Sequence, residues 1–105
     1  MRSLLLATTL LVACTEANAE DRRVKLINES SQTIVEFHAS NVGRSGFEED
    51  ILGKRTVGPG QSITINLDDG SGYCKFDFLT VMRNGQKIVK RNVNICEVST
   101  YRISD

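Results

Sequence analysis

Between residue 23 and the C-terminus, apolar side chains recur in short runs and the gaps between runs are filled by turn-forming residues. Arg23 to Ile27 and Gln32 to Ala39 are rich in β-branched and aromatic residues, and "NESSQ" between them supplies turn formers, so the two read as a β-hairpin. In the second run Ile34 and Phe37 fall out of strict alternation, which predicts a β-bulge or a strand covered on both faces. "VGPGQ" at Val57 to Gln61 places Pro59 and Gly60 at the centre of a type II turn. Gln61 to Leu67 then alternates, with Ile63, Ile65 and Leu67 on one face, and "DDGSG" at 68–72 is a further loop. Tyr73 to Met82 and Lys87 to Cys96 flank Asn84 and Gly85, a strong hairpin signal. Val98 to Ile103 reads as the last strand.

Six to seven short strands separated by turn chemistry predict an all-β fold, a small antiparallel β-sandwich or open barrel. The expected core is Ile34, Phe37, Ile63, Ile65, Leu67, Phe76, Phe78, Val93 and Ile95. Asn41 to Thr56 breaks the pattern with a long connection. Ser45 followed by Glu48 resembles a capping box and Gly53 a helix stop, so one or two helical turns are expected within 41–56.

The N-terminus has a different character. Leu4 to Ala13 is an apolar run too short to span a bilayer, preceded by Arg2 and followed by small residues, the layout of a secretory signal peptide. Ala17 and Ala19 fit the narrow pocket of a signal peptidase, giving a signal peptide at 1–19 and a single domain at 20–105. The competing "LVAC" at 11–14 has the form of a lipobox, in which Cys14 would be lipidated and the protein membrane-anchored. The soluble product is favoured, because such tetrapeptides arise readily at the end of an apolar run. The first route implies a periplasmic or secreted location, the second a membrane-anchored lipoprotein.

Composition narrows the function classes. Thirteen basic and thirteen acidic residues leave no net charge and no electrostatic footprint for nucleic acid. Beyond Cys14, the remaining cysteines are Cys74 and Cys96, which in a small exported domain read as a disulfide. No nucleophile motif and no metal-ligand spacing is present, so the chain is expected to be a non-enzyme that needs no cofactor. Asp50, Asp68 and Asp69 could offer carboxylates to calcium if their loops shared one end of the sandwich, but a simple polar turn is the preferred reading. His38, the sole histidine, shows no evident partner in the sequence and reads as a partly exposed structural residue.

Register raises a specific problem. A two-residue turn at Asn84 and Gly85 sets Cys74 opposite Ile95 and Phe76 opposite Val93, so Cys74 and Cys96 would point to opposite faces. A disulfide then requires a bulge, expected between Arg91 and Cys96, or strand ends that diverge near the bridge.

"RVKLINESSQTIVEFHASN", "FEEDILG", "VGPGQSITINLDDGSGYCKFDF" and "NGQKIVKRNVNIC" together resemble a family of small secreted β-rich proteins of proteobacteria, mainly alphaproteobacteria. Asn28 and Ser30 match its first strand end, Pro59 and Gly60 its turn, and Cys74, Phe76 and Asp77 its penultimate strand. Phe47 and Glu48 depart from it, standing where Trp and Gly are usual. The resemblance implies compartment and fold but no reaction.

The functional expectation is a non-catalytic binding or envelope-associated module, acting as a monomer on a protein or envelope ligand. Its contact loop would be Asn41 to Gly53, with Phe47 exposed beside Glu48, Glu49 and Asp50; the competing role for Phe47 is a lid on the core. The alternative function is a periplasmic protein inhibitor, for instance of a lysozyme, suggested by "SGYC" at 71–74.

Overall fold

A computed structural model describes residues 21–105; the proposed signal peptide and Cys14 lie outside the described residues. Six strands form, β1 (Arg23–Glu29), β2 (Ile34–Asn41), β3 (Ser62–Asn66), β4 (Lys75–Met82), β5 (Lys87–Asn94) and β6 (Thr100–Ser104). They build two three-stranded sheets, ordered β3-β1-β6 and β2-β4-β5, in an all-β arrangement consistent with a small sandwich. Among the described residues no helix is long and apolar enough to cross a membrane.

The chain alternates because each sheet buries one face. Val24, Leu26 and Asn28 of β1, Ile65 of β3 and Ile103 of β6 point inward from the first sheet, against Phe76, Phe78, Thr80 and Met82 of β4 and Phe37 and Ala39 of β2. Tyr101 reaches across from β6: its ring lies 5.0 Å from Phe78 and 6.3 Å from Phe37, which are themselves 5.1 Å apart. Of the expected core, Ile63 and Val93 are half-buried at its margin, while the other seven residues are buried. Val24, Leu26, Ala39, Leu52, Val57, Met82 and Ile103 complete the core and lie outside the expected set.

The expected hairpin of the first two strands does not form. β1 pairs with β3 antiparallel and with β6 in parallel, while β2 belongs to the other sheet, so "NESSQ" is a crossover between layers and the sandwich is not purely antiparallel. Asn28 explains the corner. Its fully buried amide donates to the carbonyls of Gln32 (2.6 Å) and Val57 (2.9 Å), and its Oδ1 accepts from the Ser30 N–H and hydroxyl. One side chain thus ties the crossover to the segment before the Pro59 turn. That turn forms as expected, with Gln61 N–H donating to Gly58 O and Gly60 at φ 81°.

The bulge expected in β2 is present, with register shifting between Ile34 and Glu36. The β4–β5 hairpin differs at its tip: Met82 N–H donates to Gln86 O and Gly85 sits at φ 93°, so the loop holds three residues, Arg83 to Gly85. The extra residue is cancelled further on. Register shifts between Phe76 and Phe78, where Asp77 faces both Arg91 and Asn92 and Asn92 adopts φ 59°. Asp77 accepts from the Asn92 N–H and from the Arg91 guanidinium, fixing the bulge inside the expected interval.

Beyond the bulge, Phe76 faces Val93 as expected, and Ile95 N–H donates to Cys74 O. The disulfide Cys74–Cys96 forms with Cα atoms 5.3 Å apart. It closes because β5 ends at Asn94 and the chain turns, with the Glu97 and Val98 N–H groups both donating to Asn94 O. Divergence of the strand ends, rather than the bulge, brings the sulfurs together.

Candidate functional site

The long connection does not form the expected helical turn. The Glu48 N–H, which the capping reading assigned to Ser45, donates instead to the buried Ser40 hydroxyl at 2.8 Å. From there the segment runs beside edge strand β2: Ile51 N–H donates to Phe37 O, and Asp50 Oδ1 accepts from the N–H groups of Phe37 and Leu52. These bonds occupy backbone groups on the edge of β2 that faces away from β4. Leu52 enters the core, and Gly53 (φ 62°) allows the turn that follows. Asp50 is therefore an anchor of the loop.

The other loop at this end follows β3. Asp69 Oδ1 accepts from the Ser71 N–H and hydroxyl, and its Oδ2 accepts from the amide of buried Asn41 at 2.9 Å. Burial pushes the Asp69 carboxyl up, but the bonds from Ser71 and Asn41 outweigh it and hold the group below its usual range. Asn41 Oδ1 also takes the Gly43 N–H, and the Tyr73 ring lies where a side chain at Gly43 would go. Asn41 thereby links the two loops.

Between them opens a cleft of about 470 Å³. Its floor is Ala39, Ile51, Leu67 and Phe76; its rim carries Glu48 and Glu49 from one loop and Asp68 and Asp69 from the other. Asn66 completes the lining, in which no lysine or arginine stands among the described residues. The volume falls within the ordinary range of small-ligand sites, and the mixture of apolar floor and polar rim is their usual composition. Glu48 is paired with Arg44 at 2.9 Å, and Asp68 accepts the Gly70 N–H.

The expected contact residues are thus divided. Glu48 and Glu49 border the cleft, Asp50 holds the loop, and Phe47 lines a separate cavity of about 240 Å³ with Ser40, Arg44, Asp77 and Arg91. Phe47 is half-buried beneath the Arg91 guanidinium, 5.5 Å from its ring centroid, and is not part of the core cluster. It is neither a core lid nor a freely exposed aromatic. Asp50, Asp68 and Asp69 do not gather into a cation site, and among the described residues no three His, Cys, Asp or Glu groups converge to hold a metal.

His38 has two partners that the sequence did not suggest. Nε2 lies 2.9 Å from Glu36 Oε1 and Nδ1 lies 2.6 Å from Glu48 O. Burial depresses the imidazole, but the Glu36 carboxylate, the Glu48 carbonyl and the Asp50 charge outweigh it and raise the group above its ordinary value. The floor residues gave no separable signal, because as core-strand side chains they match any other buried position.

No protein-family model matches the chain, and no curated protein matches it at a significant level. A solved NMR structure of a protein from Eubacterium rectale is similar in fold, with a TM-score of 0.51 and 20% identity over 89% of this chain and 82% of that one. At that identity the likeness bears on architecture: two proteins share this small two-sheet β fold.

Proposed function

We propose that this protein is an exported, non-catalytic binding module that takes a positively charged, partly apolar ligand in the cleft between the two loops. One observation carries the reading: four carboxylates ring an apolar floor with no basic side chain among the lining residues. A cation about 4 Å from one carboxylate gains roughly 1 kcal/mol in water and about 4 kcal/mol at the lower effective dielectric near protein, while the floor receives its apolar portion. Lysine- or arginine-bearing amphipathic peptide fits that chemistry. The disulfide supports an oxidising compartment such as the periplasm or the extracellular space. Lys87, Lys90 and Arg91 on the exposed edge strand β5 discourage strand addition and favour a monomer.

The test is calorimetric titration of the mature chain with a peptide alternating lysine and leucine, beside its glutamate counterpart. The lysine peptide should bind at low salt, weaken as salt rises, and be lost on combining Glu49→Lys with Asp68→Lys. Absence of binding at low salt would overturn the reading. Inhibition of a lysozyme is retained as a second reading because Ser71, Gly72 and Tyr73 stand exposed beside Asp69. Cell-wall lysis unchanged by micromolar protein removes it.

A further inference from the structure

We propose that His38 is a proton-operated latch on the loop that forms one wall of the cleft, so that cleft affinity is governed by pH. The inference rests on the binding reading above and adds its regulation. Both ring nitrogens face acceptors, a carboxylate oxygen of Glu36 and the carbonyl oxygen of Glu48. A neutral imidazole has one donor and one acceptor nitrogen, whereas the imidazolium donates from both. The observed geometry therefore suits the protonated ring, and loss of its proton sets a lone pair against an acceptor at one contact.

A charged acceptor holds the remaining proton more strongly than a neutral one, so the ring keeps its Nε2 proton toward the Glu36 carboxylate and the contact that weakens is Nδ1 to the Glu48 carbonyl, in the cleft wall. Glu48 and Glu49 both line the cleft, and the wall is fixed to β2 by Ser40 Oγ, Asp50 Oδ1, the Phe37 carbonyl and His38. Of these four attachments, His38 alone changes charge between pH 5 and 8. The groups around the ring are few. Glu36 is its partner on β2; Glu48, paired with Arg44, and Asp50 belong to the loop; Leu79, its cross-strand neighbour on β4, carries no charge. Lys87 on β5 lies in the same cross-strand row as Glu36, and the Asp77–Arg91 pair in the row of Ser40.

The direction follows from the pleat. Ala39 lines the cleft, so adjacent His38 projects from the opposite face of β2. Its charge is matched there by Glu36, and its direct repulsion of a cation in the cleft is small. The effect transmitted is the hold on the wall, and binding should be tightest when His38 is protonated and the rim carboxylates are still ionised.

Two measurements test the latch on the mature chain. In ligand-free protein, the ring signal of the sole histidine and the backbone amides of residues 47–51 should titrate with one midpoint. Glu36→Gln should lower that midpoint, and His38→Gln should abolish the titration of the amides. With the lysine–leucine peptide, affinity should be about fivefold higher at pH 5.5 than at pH 8.5, a coupling of ordinary size, and pH-independent in His38→Gln. Amides that titrate in a protein that fails to bind peptide would sink the cleft and leave the latch standing. Equal affinity at both pH values, or amides indifferent to the ring, would overturn the latch and leave the cleft intact.

Discussion

Asn28 and Thr80 are both fully buried polar side chains, and they lead to opposite expectations. Asn28 satisfies both ends of its amide with four bonds to the crossover and the Val57 segment. Asn28→Ala leaves the Ser30 N–H without its acceptor and removes one bond each from the Val57 carbonyl, the Gln32 carbonyl and the Ser30 hydroxyl, which retain the Ile34 N–H, the Ser30 hydroxyl and the Gln32 backbone as partners. Each lost bond costs about 1 kcal/mol and the orphaned N–H about 1–3 kcal/mol. A loss of about 3 kcal/mol in urea unfolding is expected, and a loss below about 1 kcal/mol would mean the corner is held by something else. Thr80 Oγ1 is buried and has no hydrogen-bond partner among the described residues. Burial raises the nearby Tyr101 phenol and the Thr80 hydroxyl partly offsets that, but the two groups do not meet hydrogen-bond geometry, so the hydroxyl remains a net cost. Thr80→Val keeps the shape and removes that cost; it should stabilise by about 1 kcal/mol, read as a higher urea midpoint at unchanged slope. The local sequence gave no warning of either role, since "INES" and "LTVM" look like ordinary strand text. The distinction lies in what the other sheet brings opposite them.

The elements themselves were legible where their cause is local and illegible where it is distant. Pro59–Gly60 carries its turn in its own dihedral preferences, and alternation in 61–67 and 75–82 specifies which face is buried. "NESSQ" has the chemistry of any turn, and whether it closes a hairpin or crosses between layers is decided by Val57 and Gln32 accepting from Asn28. Ser45 and Glu48 carry a helix signal, but the Glu48 N–H finds Ser40 and the loop docks on β2 instead. The β5 bulge falls inside the interval expected from the cysteine spacing, but it offsets the three-residue loop and is anchored by Asp77 of the opposite strand, while the turn after Asn94 closes the bridge. Because Asn92 sits at φ 59°, a β-branched residue there should be strained by roughly 1–2 kcal/mol. Asn92→Val should therefore lower the melting temperature, whereas Asn92→Gly should leave it nearly unchanged. Equal tolerance of both would show that the left-handed conformation is not required. In the candidate site, the acidic loop was legible as an unusual segment, but its division into cleft wall, anchor and arginine-stacked aromatic is a product of docking.

At the scale of the molecule, two thin sheets share one core and the disulfide ties β4 and β5 together at the end where the cleft opens. Cys74 and Cys96 are 22 residues apart, so their bridge should contribute about 3 kcal/mol by restricting the unfolded chain. A Cys74→Ala, Cys96→Ala double variant should lose about that much in urea unfolding while keeping the strand content of its circular dichroism spectrum; an unchanged midpoint would show the bridge to be ornamental. The parallel pairing of β1 with β6 has a different kind of consequence, one of timing. Lys25 has to find Thr100, so the first strand made waits for the last, and β3 alone cannot close the sheet around Val24 and Leu26. Such distant pairing is slow to form, and a nascent chain arrested before Thr100 should be digested by a protease that the finished protein resists. Synthesis itself thus keeps the β1 sheet open on one side until residues 100–104 have been made, so the buried face of β1 stays pliable through most of the chain's elongation.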